Sequence, residues 1–277
     1  MGDIVVRRGV SSDVPSLKAL WSSVFGDSDA DIDAFFETFF DVSVCVIAEA
    51  GETLAAMGFL LPVGFLRVPG KGDVPCGMIY AVATEPAMRG RGCGEAVTRG
   101  LLDAAAERGI PAVALCPAED SLFGFYEQRT ELETAFYCKE ERISISPRDG
   151  AALCRVTAAE YIAIREEILK DTPHITFDER CFSYQERLCA GGGLFTSNCD
   201  DDKRCCAAIE AVYSTDTDAF YVRIIELLGV GERLLQGVAR EFHTEECLVR
   251  RPGNDLRFGM LNAGFSIQSA WFGLAFD

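Results

Sequence analysis

The spacing of apolar residues divides the start of the chain into helices and strands. Residues 4–7 predict a strand, and apolar positions between 14 and 25 recur at helical spacing. A second helix is predicted over 32–40. Three further apolar runs predict an antiparallel meander of strands: 44–48, 53–61 and 65–68.

The pattern changes after this meander. An apolar run over 78–83 enters a glycine-rich loop, and a helical pattern over 95–108 leads to a buried strand-like run over 112–116. This order of strand, loop, helix and strand predicts a βαβ unit. We expect its two parallel strands to splay apart and admit a ligand.

The order of elements repeats after residue 148, although the residues themselves do not. The second half predicts strands over 153–156, 194–197, 206–213, 220–227 and 247–250, and helices over 158–169, 179–190 and 232–242. We therefore expect an α/β (mixed α+β) fold with two similar domains, 1–148 and 149–277. Each would contain a mixed, partly antiparallel sheet flanked by helices.

Charge and composition exclude several classes of function. The 277 residues carry 43 acidic and 26 basic side chains, a formal net charge of −17, which argues against nucleic-acid binding and against adhesion to anionic membranes. No apolar run is long enough to span a membrane, and no signal peptide precedes Ile4. We expect a cytoplasmic protein, and the sequence leaves its oligomeric state open.

Twelve cysteines and two histidines do not form a recognisable metal motif. There is no C-x-x-C spacing, and the adjacent Cys205 and Cys206 would need distant partners to bind zinc. Cys45, Cys116 and Cys154 lie in apolar runs, where a thiol behaves as a small hydrophobic group. We predict no structural metal.

The run Arg89-Gly90-Arg91-Gly92-Cys93-Gly94 is the strongest chemical signal. Its glycines leave the backbone N–H groups accessible at a helix start, where the helix dipole also favours an anion. A P-loop would continue with Lys and then Ser or Thr, but Glu95-Ala96 follows, and the glycine spacing of a dinucleotide fingerprint is absent. The run predicts a pyrophosphate site of another kind.

The R-x-x-G-x-G spacing, preceded by Val82-Ala83-Thr84-Glu85-Pro86, resembles the acetyl-CoA loop of the GNAT superfamily of N-acetyltransferases. The resemblance implies acetyl-CoA as cosubstrate, with loop N–H groups on the pyrophosphate and the strand end pairing with the pantetheine arm. The implied cofactor-binding residues are Val82, Ala83, Thr84, Arg89, Gly90, Arg91, Gly92, Cys93, Gly94 and Glu95.

A second motif of that family is similar to Leu115-Cys116-Pro117 followed by Phe125-Tyr126-Glu127-Gln128. The resemblance implies that Tyr126 is the general acid that protonates the departing thiolate. The alternative interpretation is a tyrosine packed beside Phe123 and Phe125.

The tandem arrangement resembles the Eis-like acetyltransferases, and this resemblance implies a catalytic first domain and a degenerate second GNAT-like domain that completes the acceptor pocket. It also implies that the terminal carboxylate of Asp277 is the general base; the alternative is an ordinary edge strand with a free end. Glu49 and Glu85 are weaker candidates. Aromatic residues between Trp21 and Phe40 are expected in the core, or less often beside an acceptor.

The second half offers its own comparison with the loop. Gly229 and Gly231 repeat the G-x-G spacing of Gly92 and Gly94. The residue three positions before the first glycine is Arg89 in the first half but Glu226 in the second. A carboxylate there would repel a pyrophosphate, so we expect one cofactor site.

The sequence thus favours an acetyl-CoA-dependent N-acetyltransferase in which a primary amine of a small molecule or peptide attacks directly in a ternary complex. Two alternatives remain: a non-catalytic acyl-CoA-binding sensor, and a Fem-like aminoacyl transferase, which the acidic charge disfavours. The acceptor and the acyl-chain length are left open.

Overall fold

A computed structural model describes residues 4–51, 53–149, 151–189, 191–197, 205–214, 219–267 and 269–276. The strands in these residues are β1 (Ile4–Arg8), β2 (Val44–Ala50), β3 (Thr53–Val68), β4 (Gly72–Thr84), β5 (Ala112–Leu115), β6 (Glu133–Ser144), β7 (Leu153–Arg155), β8 (His174–Ile175), β9 (Gly193–Ser197), β10 (Cys205–Ser214), β11 (Ala219–Gly229), β12 (Glu246–Pro252) and β13 (Leu256–Ala263). The α-helices are α1 (Val14–Phe25), α2 (Asp29–Phe39), α3 (Cys93–Glu107), α4 (Asp120–Arg129), α5 (Ala158–Ile168), α6 (Glu179–Leu188) and α7 (Glu232–Glu241). None of the helices in the described ranges is long and apolar enough to cross a membrane.

The chain divides into two compact units whose segments alternate along the sequence. Unit 1 consists of Met1–Leu66, Asp73–Ala135 and Gly259–Ser266; unit 2 consists of Arg67–Gly72, Phe136–Phe258 and Ile267–Asp277. This division differs from the domains 1–148 and 149–277 drawn from the sequence, whose boundaries stay a prediction.

Unit 1 contains a mixed sheet in the order β1-β2-β3-β4-β5-β13. Strands β1, β2 and β3 pair antiparallel, whereas β4 and β5 are parallel neighbours connected through α3. The predicted meander and βαβ unit are both present. The runs 53–61 and 65–68 were expected as separate strands, but β3 is continuous through Pro62 and Gly64. Gly64 has a φ of 125°, a conformation that glycine adopts more readily than other residues.

Most of the aromatic residues near the start of unit 1 belong to its core. Trp21, Phe35 and Phe39 are buried; the rings of Trp21 and Phe35 pack with Phe59 of β3, and the ring of Phe39 packs with Phe35. Burial of these rings fixes α1 and α2 on the sheet. The sequence favoured a core role for the stripe, which these residues have, whereas Phe25 is 41% exposed.

Unit 2 repeats the strand–helix–strand order in a sheet ordered β6-β12-β11-β10-β9-β7. Strands β11 and β12 are parallel and are connected through α7. Alternate residues of β10 face different helices: Ala207 and Ile209 share an apolar cluster with α7, whereas the Cys206 thiol lies beside Tyr161 of α5. The mixed α/β class predicted for each half is confirmed.

Candidate active site

The parallel strands of unit 1 separate at the end nearest the glycine-rich loop. Their paired register runs from Cys76 with Ala112 to Ile79 with Leu115, where β5 ends, while β4 continues to Thr84. Ala81 has a φ of 50°, which interrupts the regular strand conformation at the point of separation.

The far end of β4 stays on its other neighbour, because the Glu85 N–H donates to the Ala55 carbonyl at 2.9 Å. The edge that faced β5 is therefore the one that becomes available to an extended ligand. Ala83 is buried, whereas Val82 and Thr84 are half-buried. These three residues form the strand end assigned to the cofactor from the sequence.

The loop between β4 and α3 has a backbone that glycine supports best. Gly90 and Gly92 have φ values of 76° and 83°, and a Cβ at either residue would meet nothing within 4 Å. Conformation rather than space therefore requires glycine there. Arg89 and Arg91, on either side of Gly90, are exposed, and the Arg89 Nε lies 3.5 Å from the Thr84 carbonyl oxygen.

Helix α3 starts without a side-chain cap. Gly92 is its N-cap residue and makes no side-chain hydrogen bond, so the first N–H groups of this 15-residue helix lack the partner that a cap would supply. Cys93 is buried beneath the helix start, which leaves the backbone on the outer side. The arrangement suits an anion.

Gly94 brings the helix close to the strand end. A Cβ on Gly94 would lie 3.2 Å from the Thr84 Oγ1 and 3.9 Å from the Phe125 Cζ. A larger side chain would fill the space in which the loop, the strand end and α4 meet. Glu95, next in the helix, pairs its carboxylate with Arg99 at 3.2 Å and with Arg129 at 3.7 Å. These two arginines offset its negative charge near the candidate anion site.

Tyr126 of α4 is buried in the apolar cluster that also contains Cys93 and Leu115. Burial raises the pKa of its hydroxyl to about 12, so the phenol is protonated at neutral pH. The neighbouring Phe125 ring lies 5.1 Å from the Tyr126 ring and is the ring that approaches Gly94. The structure thus brings α4 to the helix start, and the role of Tyr126 stays a prediction.

The three candidates for the general base lie in different surroundings. Glu49 of β2 is held by Arg7 at 2.7 Å, and Arg7 also binds Asp13 at 2.7 Å, so this carboxylate is engaged in a salt bridge. Glu85 is half-buried at the end of β4. Asp277 lies outside the described residues, and its assignment stays a prediction.

Glu226 lies in the strand predicted over 220–227 and is not the structural counterpart of the loop residue Arg89, which corrects the comparison made from the G-x-G spacing. It lies inside β11, fully buried, and only Val230 and Gly231 separate β11 from α7. Its carboxylate accepts hydrogen bonds from the Tyr161 hydroxyl at 2.9 Å, the Arg165 Nε at 3.1 Å and the Trp271 Nε1 at 2.6 Å. Counting back from the G-x-G spacing failed because the two connections differ in length.

Sequence reasoning missed two features of these sites. Ala81 carries no signal, because nothing in an apolar run marks a non-glycine residue with positive φ. Glu226 and Arg165 gave no distinctive signal, because Arg165 is followed by Glu166 and Glu167 and the predicted strand of Glu226 also contains Arg223.

Residues 5–129 match the family model of the acetyltransferase (GNAT) domain. The chain contains a GNAT acetyltransferase domain. This GNAT domain includes the separated strands, the glycine-rich loop and Tyr126. Glu226 and Asp277 lie beyond the matched residues.

Solved structures share the fold of the GNAT domain and of the residues that follow it. A protein of Enterococcus faecalis described as a probable N-acyltransferase is 15% identical, with a TM-score of 0.74 over 94% of this chain and 72% of that one. A GCN5-related N-acetyltransferase of Anabaena variabilis is also 15% identical, with a TM-score of 0.73 and the same coverage of both chains. Eis1 of Mycobacterium abscessus is 12% identical, with a TM-score of 0.57 over 91% of this chain and 66% of that one. A search of curated proteins gave no match.

Proposed function

We propose that this protein is an acetyl-CoA-dependent N-acetyltransferase that transfers an acetyl group to a primary amine. The observation that carries the proposal is the end of β4 that continues past its pairing with β5 and leads to an uncapped, glycine-rich helix start beside Arg89 and Arg91. A strand edge followed by an anion site matches a ligand that has an amide-bearing arm followed by a pyrophosphate. The amides of the arm would pair with the strand edge, and the pyrophosphate would bind at the anion site.

The residues present fit acetyl-CoA. The first N–H groups of α3, together with those of Gly90 to Glu95, would bind the pyrophosphate, and the two arginines would add charge-assisted hydrogen bonds. The Val82 to Thr84 backbone would pair with the pantetheine amides. The absence of a side chain at Gly94 keeps the space beside Thr84 open.

The chemistry follows from positioning two reactants and managing two protons. The amine attacks the thioester carbonyl carbon, a C–N bond forms, and the C–S bond breaks. Tyr126 gives its proton to the leaving sulfur, and a carboxylate, proposed as that of Asp277, accepts a proton from the amine. A backbone N–H of the β4 end would face the developing oxyanion, and one such donor typically contributes about 3 kcal/mol.

The acceptor is proposed to be a small molecule or peptide, and the surplus of carboxylates favours one with additional positive charge. A cytoplasmic location stays a prediction of the sequence. So does the role of the second half in completing the acceptor pocket.

A binding and turnover experiment tests the function itself. Acetyl-CoA at a hundred times its Kd should stabilise the protein by about 2.7 kcal/mol, seen as a raised Tm. A panel of a polyamine, an aminoglycoside and a lysine peptide should then release free CoA thiol with at least one acceptor. A raised Tm without thiol release from any amine would favour the acyl-CoA sensor.

The Tyr126→Phe variant tests the proton donor. Loss of the hydroxyl should lower kcat by about 100-fold while the Kd for acetyl-CoA stays unchanged, because general acid catalysis acts in the transition state. Tyr137→Phe, which removes a hydroxyl from β6, is the matched control. An unchanged kcat in Tyr126→Phe would remove this tyrosine from the mechanism.

Deletion of Asp277 tests the base. The deletion should lower kcat at saturating acetyl-CoA and shift the pH dependence of turnover, because the amine would have to lose its proton to water. Full activity without Asp277 would rule out the terminal carboxylate.

A further inference from the structure

His174 in unit 2 has an unusual set of hydrogen-bond partners. Its side chain is fully buried on β8, with the ring Nδ1 2.7 Å from the Thr172 carbonyl oxygen and the ring Nε2 3.0 Å from the Glu166 Oε2. A carbonyl oxygen and an ionised carboxylate can only accept hydrogen bonds. Both ring nitrogens therefore face acceptors.

Glu166 is ionised in this arrangement because it pairs with two guanidinium groups, that of Arg67 at 2.7 Å and that of Arg165 at 3.1 Å. Burial alone would raise the pKa of its carboxyl, but the charged groups around it hold that pKa below its usual value. A neutral imidazole carries one N–H and would leave a lone pair against one of the two oxygens. Only the imidazolium can donate to both.

The charged groups around the ring come from more than one element. Glu166 also binds Arg67 at 2.7 Å and Arg165 at 3.1 Å, and Arg165 is paired with Glu226. His174 therefore donates to a carboxylate that two guanidinium groups also bind.

The His174 ring belongs to a short backbone segment, Pro173 to Ile175, that forms hydrogen bonds with residues near the end of the chain. The Trp271 N–H donates to the Pro173 carbonyl at 2.8 Å, and the Ile175 N–H donates to the Trp271 carbonyl at 3.2 Å. These two bonds flank His174 and bind the C-terminal segment, defined here as 270–276. The hydrogen bond from His174 to Glu166 fixes the same backbone onto α5.

We propose that His174 is a buried imidazolium and a positioning residue, whose proton fixes Pro173 to Ile175 on α5 and thereby holds the C-terminal segment in place. Without that proton, the lone pair of one ring nitrogen would face an acceptor oxygen, and the C-terminal segment would be held less firmly. The catalytic consequence rests on the proposed function, because the segment precedes Asp277.

Nitrogen NMR reads the protonation directly. With ¹⁵N-labelled histidine the chain gives four ring nitrogen signals, two each from His174 and His243, and a His243→Asn variant assigns them. Asparagine suits position 243 because this exposed residue has a φ of 50°. Both ring nitrogens of His174 should carry protons at pH 6, and a single neutral tautomer at that pH would overturn the proposal.

Hydrogen exchange reports how firmly the segment is held. In His174→Gln the protection factors of the Trp271 and Ile175 amides at pH 6 should fall about tenfold, the size expected for loss of one charge-assisted hydrogen bond. His243→Asn should leave them unchanged. In the unaltered chain these protection factors should change together with the ring nitrogen signals, and protection that stays constant while those signals change would overturn the proposal even if His174→Gln proved unfolded.

Turnover separates this inference from the proposed function. His174→Gln should lower kcat at pH 6 in the full chain and have no further effect once Asp277 is deleted. An equal decrease with and without Asp277 would show a purely structural role and overturn the positioning role. If deletion of Asp277 itself changes nothing, the proposed base fails, whereas the NMR and exchange results still decide whether His174 is a proton-dependent clamp.

Discussion

Each unit contains a parallel strand–helix–strand element, and the two elements differ in what lies beside the end of the first strand. In β4–α3–β5 the register with β5 ends at Ile79, and an eight-residue loop with two glycines at positive φ leads to the helix. In β11–α7–β12 the register ends at Ile224, and only two residues precede the helix.

In each unit the first strand of the element, β4 or β11, continues for five residues beyond the last residue that pairs with its parallel neighbour. In unit 1 these residues are apolar or neutral and end beside exposed arginines. In unit 2 they include Glu226, whose carboxylate is bound by Tyr161, Arg165 and Trp271, the last from the C-terminal segment. The same strand geometry thus supports a candidate ligand site in one unit and an internal polar network in the other.

Alkaline unfolding should give the largest difference between the units. Burial raises the pKa of thiols in both units above the usual 9.0, and these are Cys45 and Cys76 in unit 1 and Cys181, Cys189, Cys206 and Cys247 in unit 2. Above pH 9 the unfolded chain releases these protons and the folded chain does not, so stability falls as pH rises. At about pH 10 each thiol costs about 1.4 kcal/mol, or about 6 kcal/mol in unit 2 against about 3 kcal/mol in unit 1.

The two tryptophans report the units separately. Urea unfolding of Trp271→Phe follows Trp21 in unit 1, and Trp21→Phe follows Trp271 in unit 2, each under reducing conditions at pH 8 and 10. The transition seen by Trp271 should shift further. Equal shifts would contradict the difference in thiol burial.

Glu226→Ala should produce the next largest effect. It removes the carboxylate that pairs with Nε of the buried Arg165 guanidinium and leaves only the pair between Nη1 and Glu166. Breaking a buried ion pair on one side typically costs about 3–5 kcal/mol. Chemical denaturation measures the loss. Trp271→Phe, which removes one N–H donor to the same carboxylate, is the milder comparison.

Binding of acetyl-CoA by the folded fraction of Glu226→Ala should be unchanged, since the network belongs to unit 2. A weakened affinity with intact stability would instead restore the loop-like role that the sequence suggested for Glu226.

Removing the loop arginines should affect the ligand and not the fold. Arg89 and Arg91 are exposed, so the double alanine variant should keep its Tm and bind acetyl-CoA about 10- to 100-fold more weakly, as expected for lost charge-assisted hydrogen bonds. Calorimetric titration at low and high salt checks this, because salt screens exposed charges.

Arg233→Ala provides the matched control for that loss of charge, since Arg233 lies in the first turn of α7. An equal loss of affinity in this variant would mean that the binding reports overall charge rather than the unit 1 loop.

The smallest expected effect compares two glycines with nearly the same conformation. Gly92 and Gly229 have φ values of 83° and 81°, so alanine should cost about 1 kcal/mol of stability at either position. Only Gly92→Ala should also weaken acetyl-CoA binding, because only Gly92 caps the candidate anion site. Thermal melts with and without acetyl-CoA distinguish the two variants.

Most of the element order could be predicted from the sequence because apolar spacing and glycine positions are local signals. The predicted strand over 78–83, helix over 95–108 and strand over 112–116 correspond to β4, α3 and β5 with small shifts at their ends. Strands β6 and β13 were not predicted. The place of β13 depends on pairing with β5, more than a hundred residues earlier in the chain, and no local pattern encodes that partner.

The sequence by itself determined the glycine-rich helix start, its arginines and the repeat of strand, helix and strand, because these depend on residue type and short spacing. Tertiary structure decided where the pairing of β4 with β5 ends, that Tyr161, Arg165 and Trp271 surround the Glu226 carboxylate, and that both nitrogens of His174 face acceptors. Each of these depends on atoms brought together from distant parts of the chain, and a carboxylate or imidazole acquires its role only from such partners.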